Sequence, residues 1–558
     1  MGLRIAACVG WLGLIVAPVV FGACSAEVGS GNPANAGGSG NAGGSATGGS
    51  TNPAGTCTEN VALANARIWR LTDTQYGNAV RQLFGVAAPA AIADVDGGHG
   101  EFTNFSELSM VGSKAAFAYQ ETARDVARQA VTSHFAKFMP CGQTDACAEQ
   151  FIRNRVARAF GRRLDTAEVT GYLELFHKGL LENPQAGVRL MIEATLQSPS
   201  FLYRTELGTP TAGGPTGQVS LTPHELATSI SFSLTNSIPD EALWQKADSG
   251  ALADPAVLSQ EVDRLLDMPE TKANLTQLAG FWLAVERLNG TSKDMATFPE
   301  FTPALKADMY KSAQLFVQDV VSSGSVADLL SSKRMYLNES LAALLNVPGV
   351  TGTELKAVEV TNPERGNGIL SQPGVLAATA RPTRGDPIHR GLFVYYGLAC
   401  GQAIPPPPPG ALDIAAGFPP DATERELAGL RAANPTCNAC HANFDPLGLV
   451  TERFDAIGRY QESNAAGPID QTSTLRGFGE IDGPVDGVGQ MAQKLMQGRR
   501  LSDCAVTNLA VFTLGRDVKV DTSCGLQGVK DELAKTGKFR DFYKALLTSP
   551  AYVKRDVQ

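Results

Sequence analysis

The chain has 558 residues and a formal charge of −9, with 43% apolar and 18% charged residues. That length supports several domains with real cores, and the composition marks a globular rather than a disordered protein. The acidic balance argues against a nucleic-acid partner, which would need a basic face.

The first residues set the compartment. Met1 to Arg4 carries one positive charge, Ile5 to Phe21 is apolar, and Phe21-Gly22-Ala23-Cys24 ends the run in small residues and a cysteine. Residues 1–23 therefore read as a bacterial export signal. The last four residues also resemble a lipobox, in which Cys24 is lipidated and becomes the mature N-terminus. Phe21 stands where Leu is usual, so an ordinary cleaved signal with a free Cys24 is the alternative. Residues 24–56 follow as a linker rich in Gly, Ser and Asn, and 28–58 hold no charge at all. Such a segment cannot bury enough apolar surface to fold, and from Cys24 to Cys57 its average reach is roughly 30 Å. The expectation is an extracytoplasmic lipoprotein of the periplasm, outer membrane or cell surface, reaching the membrane through its anchor. No later stretch has the length and apolarity of a spanning helix.

The body reads as mainly α, with multi-helical domains and little β. An N-terminal helical domain spans 57–205. Thr72 and Gln75 form a capping box, Leu71, Val80, Leu83 and Phe84 supply an apolar stripe, and Gly85 stops that helix. Helices are predicted near 112–137, 148–160, from the Asp165/Glu168 box to 181, and 184–197. A central helical domain, 219–347, opens with Thr222 as cap, Pro223 at the first helical position and Glu225 closing the box. Helices follow near 224–235, 240–247, 254–267, 270–288, 302–323 and 337–346, all with apolar spacing close to 3.6.

Residues 348–420 are rich in Gly, Pro and Arg and end in the run Pro405 to Pro409, a stiff extended strut. The strut leads to 421–462, which contains Pro435-Thr436-Cys437-Asn438-Ala439-Cys440-His441. C-x-x-C-H is the attachment signature of a c-type haem. Cys437 and Cys440 can each form a thioether to a haem vinyl group, and His441 then presents its imidazole as the proximal iron ligand. Composition alone predicts roughly 0.002 such strings in a chain like this one. A zinc site would want a second Cys/His pair at ligand spacing, and a thioredoxin-like pair would want a βαβ context; neither is present. An ordinary disulfide leaves His441 unexplained. Downstream, Asp445 reads as a helix cap with Pro446 at the first helical position. Residues 463–558 form a C-terminal helical domain, with a possible β-ribbon over 468–485 and helices near 486–497, 502–515 and 525–549.

Once Cys8 leaves with the signal, six cysteines remain for disulfides. Cys141 with Cys147 closes a small polar loop, Cys504 and Cys524 flank one helical segment, and Cys57 with Cys400 is the remainder.

Several segments together resemble one family of exported, haem-linked multidomain proteins, common in planctomycetes and myxobacteria and built of consecutive domains of unknown function. Arg70-Leu71-Thr72-x-x-Gln75-Tyr76 resembles its first module. Ala159-Phe160-Gly161-Arg162-Arg163-Leu164 and Ser198-Pro199-Ser200-Phe201-Leu202-Tyr203-Arg204 resemble the second, and Leu221 to Leu252 the central one. Gly368-Ile369-Leu370, Pro387-Ile388-His389-Arg390-Gly391, the proline run, the haem string, Asp445-Pro446-Leu447-Gly448 and Phe454-Asp455-x-x-Gly458-Arg459 resemble a cytochrome-c-like module. Leu514-Gly515-Arg516 and Leu547-Thr548-Ser549-Pro550 resemble the last. The resemblance implies haem binding and electron transfer outside the cytoplasm; it implies no established reaction.

The sixth iron ligand separates an electron carrier from a reactive haem. Met491 or Met496 downstream would raise the potential, whereas His389 would give a bis-His iron; ordinary core packing competes for the methionines and a surface position for His389. Arg384, Arg390, Arg453 and Arg459 suit the haem propionates, unless Glu452 and Asp455 neutralise them. Phe444, Leu447 and Phe454 suit the pocket wall. His99, His134, His177 and His224 have no partner pattern. The leading reading is thus a haem c (iron) protein that passes electrons to a redox partner or other envelope component. One alternative is a haem oxidoreductase of peroxidase or oxygenase type with an open sixth position. The other is an envelope- or polymer-binding protein with a structural haem. Whether it is an enzyme stays open.

Overall fold

In a computed structural model of the chain, the described residues are 62–89, 92, 111–211, 214–419, 422–464, 467–518 and 524–557. The expected export signal, Cys24, the expected linker, Cys57 and His99 lie outside them. Helices dominate, and the strands form only short antiparallel ribbons of two or three.

The first helices form where capping and stripe predict. Thr72 and Gln75 close their box at the start of Asp73–Phe84, and Gly85 ends that helix at φ 76°. The Asp165/Glu168 and Thr222/Glu225 boxes also form. Around Ser113–Phe138, Thr166–Leu180 and Pro184–Gln197 a first core gathers Tyr76, Leu83, Val126, Phe176 and Ile192. Strand Arg67–Arg70 pairs with Tyr203–Glu206, so the two ends of this unit meet.

A second, larger core runs from Leu63 through the central helices to Tyr552, and takes in Phe444, Leu447, Val450 and Phe454. Helix Pro223–Thr235 is buried on nearly every side from Glu225 onward, as expected for a helix at the middle of a large domain. The C-terminal strand Lys554–Asp556 returns to pair with Gln218–Ser220. Beside it Arg555, fully buried, donates to Glu206 at 3.0 Å. Burial pushes the Glu206 carboxyl up, but Arg555, Arg67 and Arg204 together hold it well below the usual range. Residues 57–558 form one compact unit. Among the described residues, no helix is long and apolar enough to cross a membrane.

Three expectations are corrected. The helix expected over 525–549 is two, Gln527–Thr536 and Phe539–Leu547. Gly537 at φ 69° caps the first, and its carbonyl accepts from the amide of Val326 instead of continuing the helix. The helix expected over 270–288 stops at Trp282, and the chain turns at Ala284 with φ 60°. Cys141–Cys147 is bonded as expected, but Cys504 is bonded to Cys400, and Cys524 is in a disulfide of its own. Cys504 sits in the first turn and a half of helix Arg500–Leu514. Some ten helical residues, about 15 Å, therefore carry the chain away from it before Cys524. The turn Phe393–Leu398 meanwhile brings Cys400 alongside.

Candidate haem-attachment site

The attachment string is a short helix, Pro435–His441, and the sequence specifies its start. Asn434 accepts from the amides of Thr436 and Cys437, and Pro435 occupies the first helical position, where its missing N–H costs nothing. Cys437 is buried, Cys440 half-buried, and both are free thiols.

His441 is held from behind. Its Nδ1 lies 2.9 Å from Asp445 Oδ1, one helical turn on, and Asp445 Oδ2 accepts from Arg431 Nε at 2.7 Å. A carboxylate only accepts, so Nδ1 carries the proton and Nε2 of the neutral ring keeps its lone pair. This carboxylate–histidine pairing fixes the tautomer and orientation of metal-ligating imidazoles. Asp445 was expected to cap the next helix; that helix, Asp445–Leu449, has no side-chain cap, because the carboxylate is engaged by His441 and Arg431. Phe444 packs against the imidazole, with ring centroids 4.8 Å apart.

The segment is clamped to the loop-rich region before it. Helix Pro387–Leu392 lies against Asp445–Leu449, with glycine on both sides of the contact. A Cβ on Gly448 would stand 1.7 Å from the Pro387 carbonyl oxygen, and one on Gly391 2.0 Å from that of Phe444. Arg390, fully buried, donates from its two terminal nitrogens to the carbonyls of Thr451, Phe454, Leu376 and Asp455. It is a staple across the clamp. Arg459 is paired with Asp455 and Glu300, Arg453 with the Ile469 carbonyl and the Tyr460 hydroxyl, and Arg384 with Glu424. These four arginines bind protein, the alternative to propionate contacts.

Glu452, half-buried near Arg390, has its carboxyl pushed up to about 7 by burial, which Arg390 offsets only in part. Its folded pKa exceeds the unfolded value, so the folded state binds more protons between about pH 4.5 and 7 and loses stability as pH rises through that window. Glu452→Gln is therefore expected to raise stability at pH 8 by about 2 kcal/mol and to change little at pH 4. Denaturant melts at the two pH values read this directly; the same shift at both would refute the pH linkage.

A cleft of about 450 Å³ opens beside His441. One wall is the helix Glu424–Ala433, which turns Arg425, Ala428, Gly429 and Ala432 to it at i, i+3, i+4 and i+7. A Cβ on Gly429 would meet nothing within 4 Å, so this wall is flat and open. Asn438, His441, Ala442 and Asp445 form the floor, and Ser473, Thr474 and Arg476 the far side. Neither cysteine lines the cleft; both lie on the adjoining strip of the attachment helix. A c-type haem needs two free thiols three residues apart, an imidazole with Nε2 open and a flat space beside it. This donor set fits the group. Two clefts of about 580 and 600 Å³ lie elsewhere, and neither is lined by a histidine or a free cysteine.

The candidate sixth ligands are not brought to this cleft. Met491 is fully buried in the main core, Met496 packs against the same core, and neither lines the cleft. His389 places Nδ1 2.6 Å from Asp386 Oδ2. That hydrogen bond raises the imidazole pKa. Asp386, pushed up by burial, is brought down to about 2 by His389 and Arg381. Of the other histidines, His177 pairs with Asp145 and His224 with Asp248, and His134 lies against the Gly85 carbonyl. Arg431, Arg425 and Arg476 were not legible in the sequence as parts of the site. The small residues Ala428, Gly429 and Ala432, at helical spacing in 424–433, were the available signal for the wall.

Four family models match consecutive segments of the chain. Those described as protein of unknown function DUF1587, DUF1595 and DUF1592 match residues 69–132, 147–206 and 221–347. The fourth, named PSCyt3 and described as protein of unknown function DUF1588, matches 366–464, which contains the C-x-x-C-H string. The chain is thus a succession of domains of unknown function, and the segments at 514–516 and 547–550 fall beyond the four matches. No curated protein and no solved structure matches it.

Proposed function

We propose that this chain is an exported, lipid-anchored c-type haem protein that transfers electrons outside the cytoplasm. One observation carries the reading: two free thiols three residues apart share a helix with an imidazole whose Nδ1 is fixed by a buried Arg431–Asp445 pair. Cys437 and Cys440 would hold the group covalently, and His441 Nε2 would bind its iron. Bound haem supplies a one-electron iron couple. The chain's part is to fix the imidazole's tautomer and orientation through Asp445, and to hold the segment in place through Arg390 and the Gly391/Gly448 contact. The family name PSCyt3 agrees with a cytochrome-like segment, and the export signal agrees with attachment outside the cytoplasm.

A second reading, a haem enzyme of peroxidase or oxygenase type with an open sixth position, is favoured by one observation. Met491, Met496 and His389 all stand away from the residues that line the cleft.

The test is maturation of the full chain in a host with c-type attachment machinery. Haem is expected to stay with the protein through denaturing electrophoresis, and Cys437→Ala/Cys440→Ala is expected to lose it entirely. Absence of covalent haem from the parent chain would sink the proposal. A low-spin spectrum indifferent to carbon monoxide supports the carrier; a high-spin haem that binds it readily supports the enzyme.

A further inference from the structure

Resting on the haem reading, we infer that Arg476 is the receptor for the haem propionates, with Arg425 as its fixed neighbour. A haem carries two carboxylates on one edge, and in a c-type protein the opposite edge is tied to the cysteines. A carboxylate brought into a cleft must find a cation or hydrogen-bond donors to offset its lost hydration. Five other arginines around the C-x-x-C-H string cannot serve. Arg431 is paired with Asp445, Arg390 donates to four carbonyls, and Arg384, Arg453 and Arg459 have protein partners.

Two arginines remain in the cleft that holds His441. Arg425 donates Nη2 to the carbonyls of Asp470 and Thr472 at 2.8 and 2.9 Å, and its Nε pairs with Asp470. It locks the far side of the cleft in place. Arg476 makes no hydrogen bond or ion pair among the described residues, although its backbone is well held. Leu475 before it is fully buried and paired with Gly483 across the ribbon. After it, the amides of Gly477 and Phe478 both donate to the Asp482 carboxylate, which closes the turn. An exposed arginine one residue past a paired strand, lining the cleft and without a partner among the described residues, has a guanidinium ready for bidentate carboxylate binding. Ser473 and Thr474, on the strand that ends just before it, also line the cleft and offer hydroxyl donors. The four arginines suggested by sequence thus give way to one that lies 35 residues after His441 and shares its cleft only through folding (476 − 441).

The experiment uses the full chain carrying Cys437→Ala/Cys440→Ala, so that haem binding is reversible. Haemin and haemin dimethyl ester, whose propionates are blocked, are titrated into it with and without Arg476→Gln. Arg476→Gln is expected to weaken haemin binding about tenfold and to leave the ester unaffected, and Arg476→Lys is expected to recover part of the loss. In the matured, covalently loaded protein, Arg476→Gln is expected to lower the midpoint potential, because a positive charge near the iron favours the reduced form. An equal loss for haemin and ester, or no loss for either, overturns the assignment while covalent haem in the parent chain keeps the haem reading intact. If the parent neither attaches haem nor binds haemin, both fall together.

Discussion

Gly448→Ala is expected to break the clamp that holds the attachment segment, costing at least about 3 kcal/mol, the upper end of overpacking effects. The added methyl would stand 1.7 Å from the Pro387 carbonyl oxygen and 2.4 Å from its carbon, both backbone atoms that no rotamer change can move. The two short helices must separate, and buried Arg390, on the first, is then pulled from its carbonyl acceptors at Thr451, Phe454 and Asp455, just after the second. The measurement is the unfolding midpoint with limited proteolysis of the 387–460 region. Gly171→Ala is the control: it lies in helix Thr166–Leu180 with nothing within 4 Å of its would-be Cβ. That change should stabilise by about 0.5–1 kcal/mol. Equal behaviour of the two variants would show that the clamp yields without cost.

Asp445→Leu is expected to destabilise the chain by about 3–5 kcal/mol, because it strands the Arg431 charge inside the protein. Arg431 and Asp445 are each only 7% exposed at the side chain, so water cannot replace the lost partner. Adding Arg431→Met should recover much of the loss, since removing both charges of a buried pair is tolerated far better than removing one. Asp445→Asn is the milder change through which to read the chemistry. It keeps the shape, but its amide cannot accept from His441 and Arg431 as the carboxylate does. In haem-loaded protein the midpoint potential should therefore rise, as His441 becomes a poorer electron donor to iron. An unchanged potential would show that Asp445 does not act through His441.

The helical class, most helix starts and the C-x-x-C-H string are legible in the chain, because these depend on neighbours within one or two turns. A capping box needs only Thr72 and Gln75, and C-x-x-C-H places three groups on one helix whatever surrounds it. The break at Gly537 is also local, a glycine after an Ala-Lys-Thr turn, but the apolar spacing on either side stays in phase and hides it. Tertiary structure decided the rest. That Cys504 meets Cys400, that Asp445 serves Arg431 and His441 rather than a helix cap, and that Gly448 touches Pro387 all follow from segments packed together across long stretches of chain. The arginines show the difference most plainly. Arg390 and Arg476 carry the same charge in the sequence, yet folding buries one among carbonyls and leaves the other at the mouth of the cleft. An arginine's role is fixed by which acceptors surround it, and those come from distant parts of the chain.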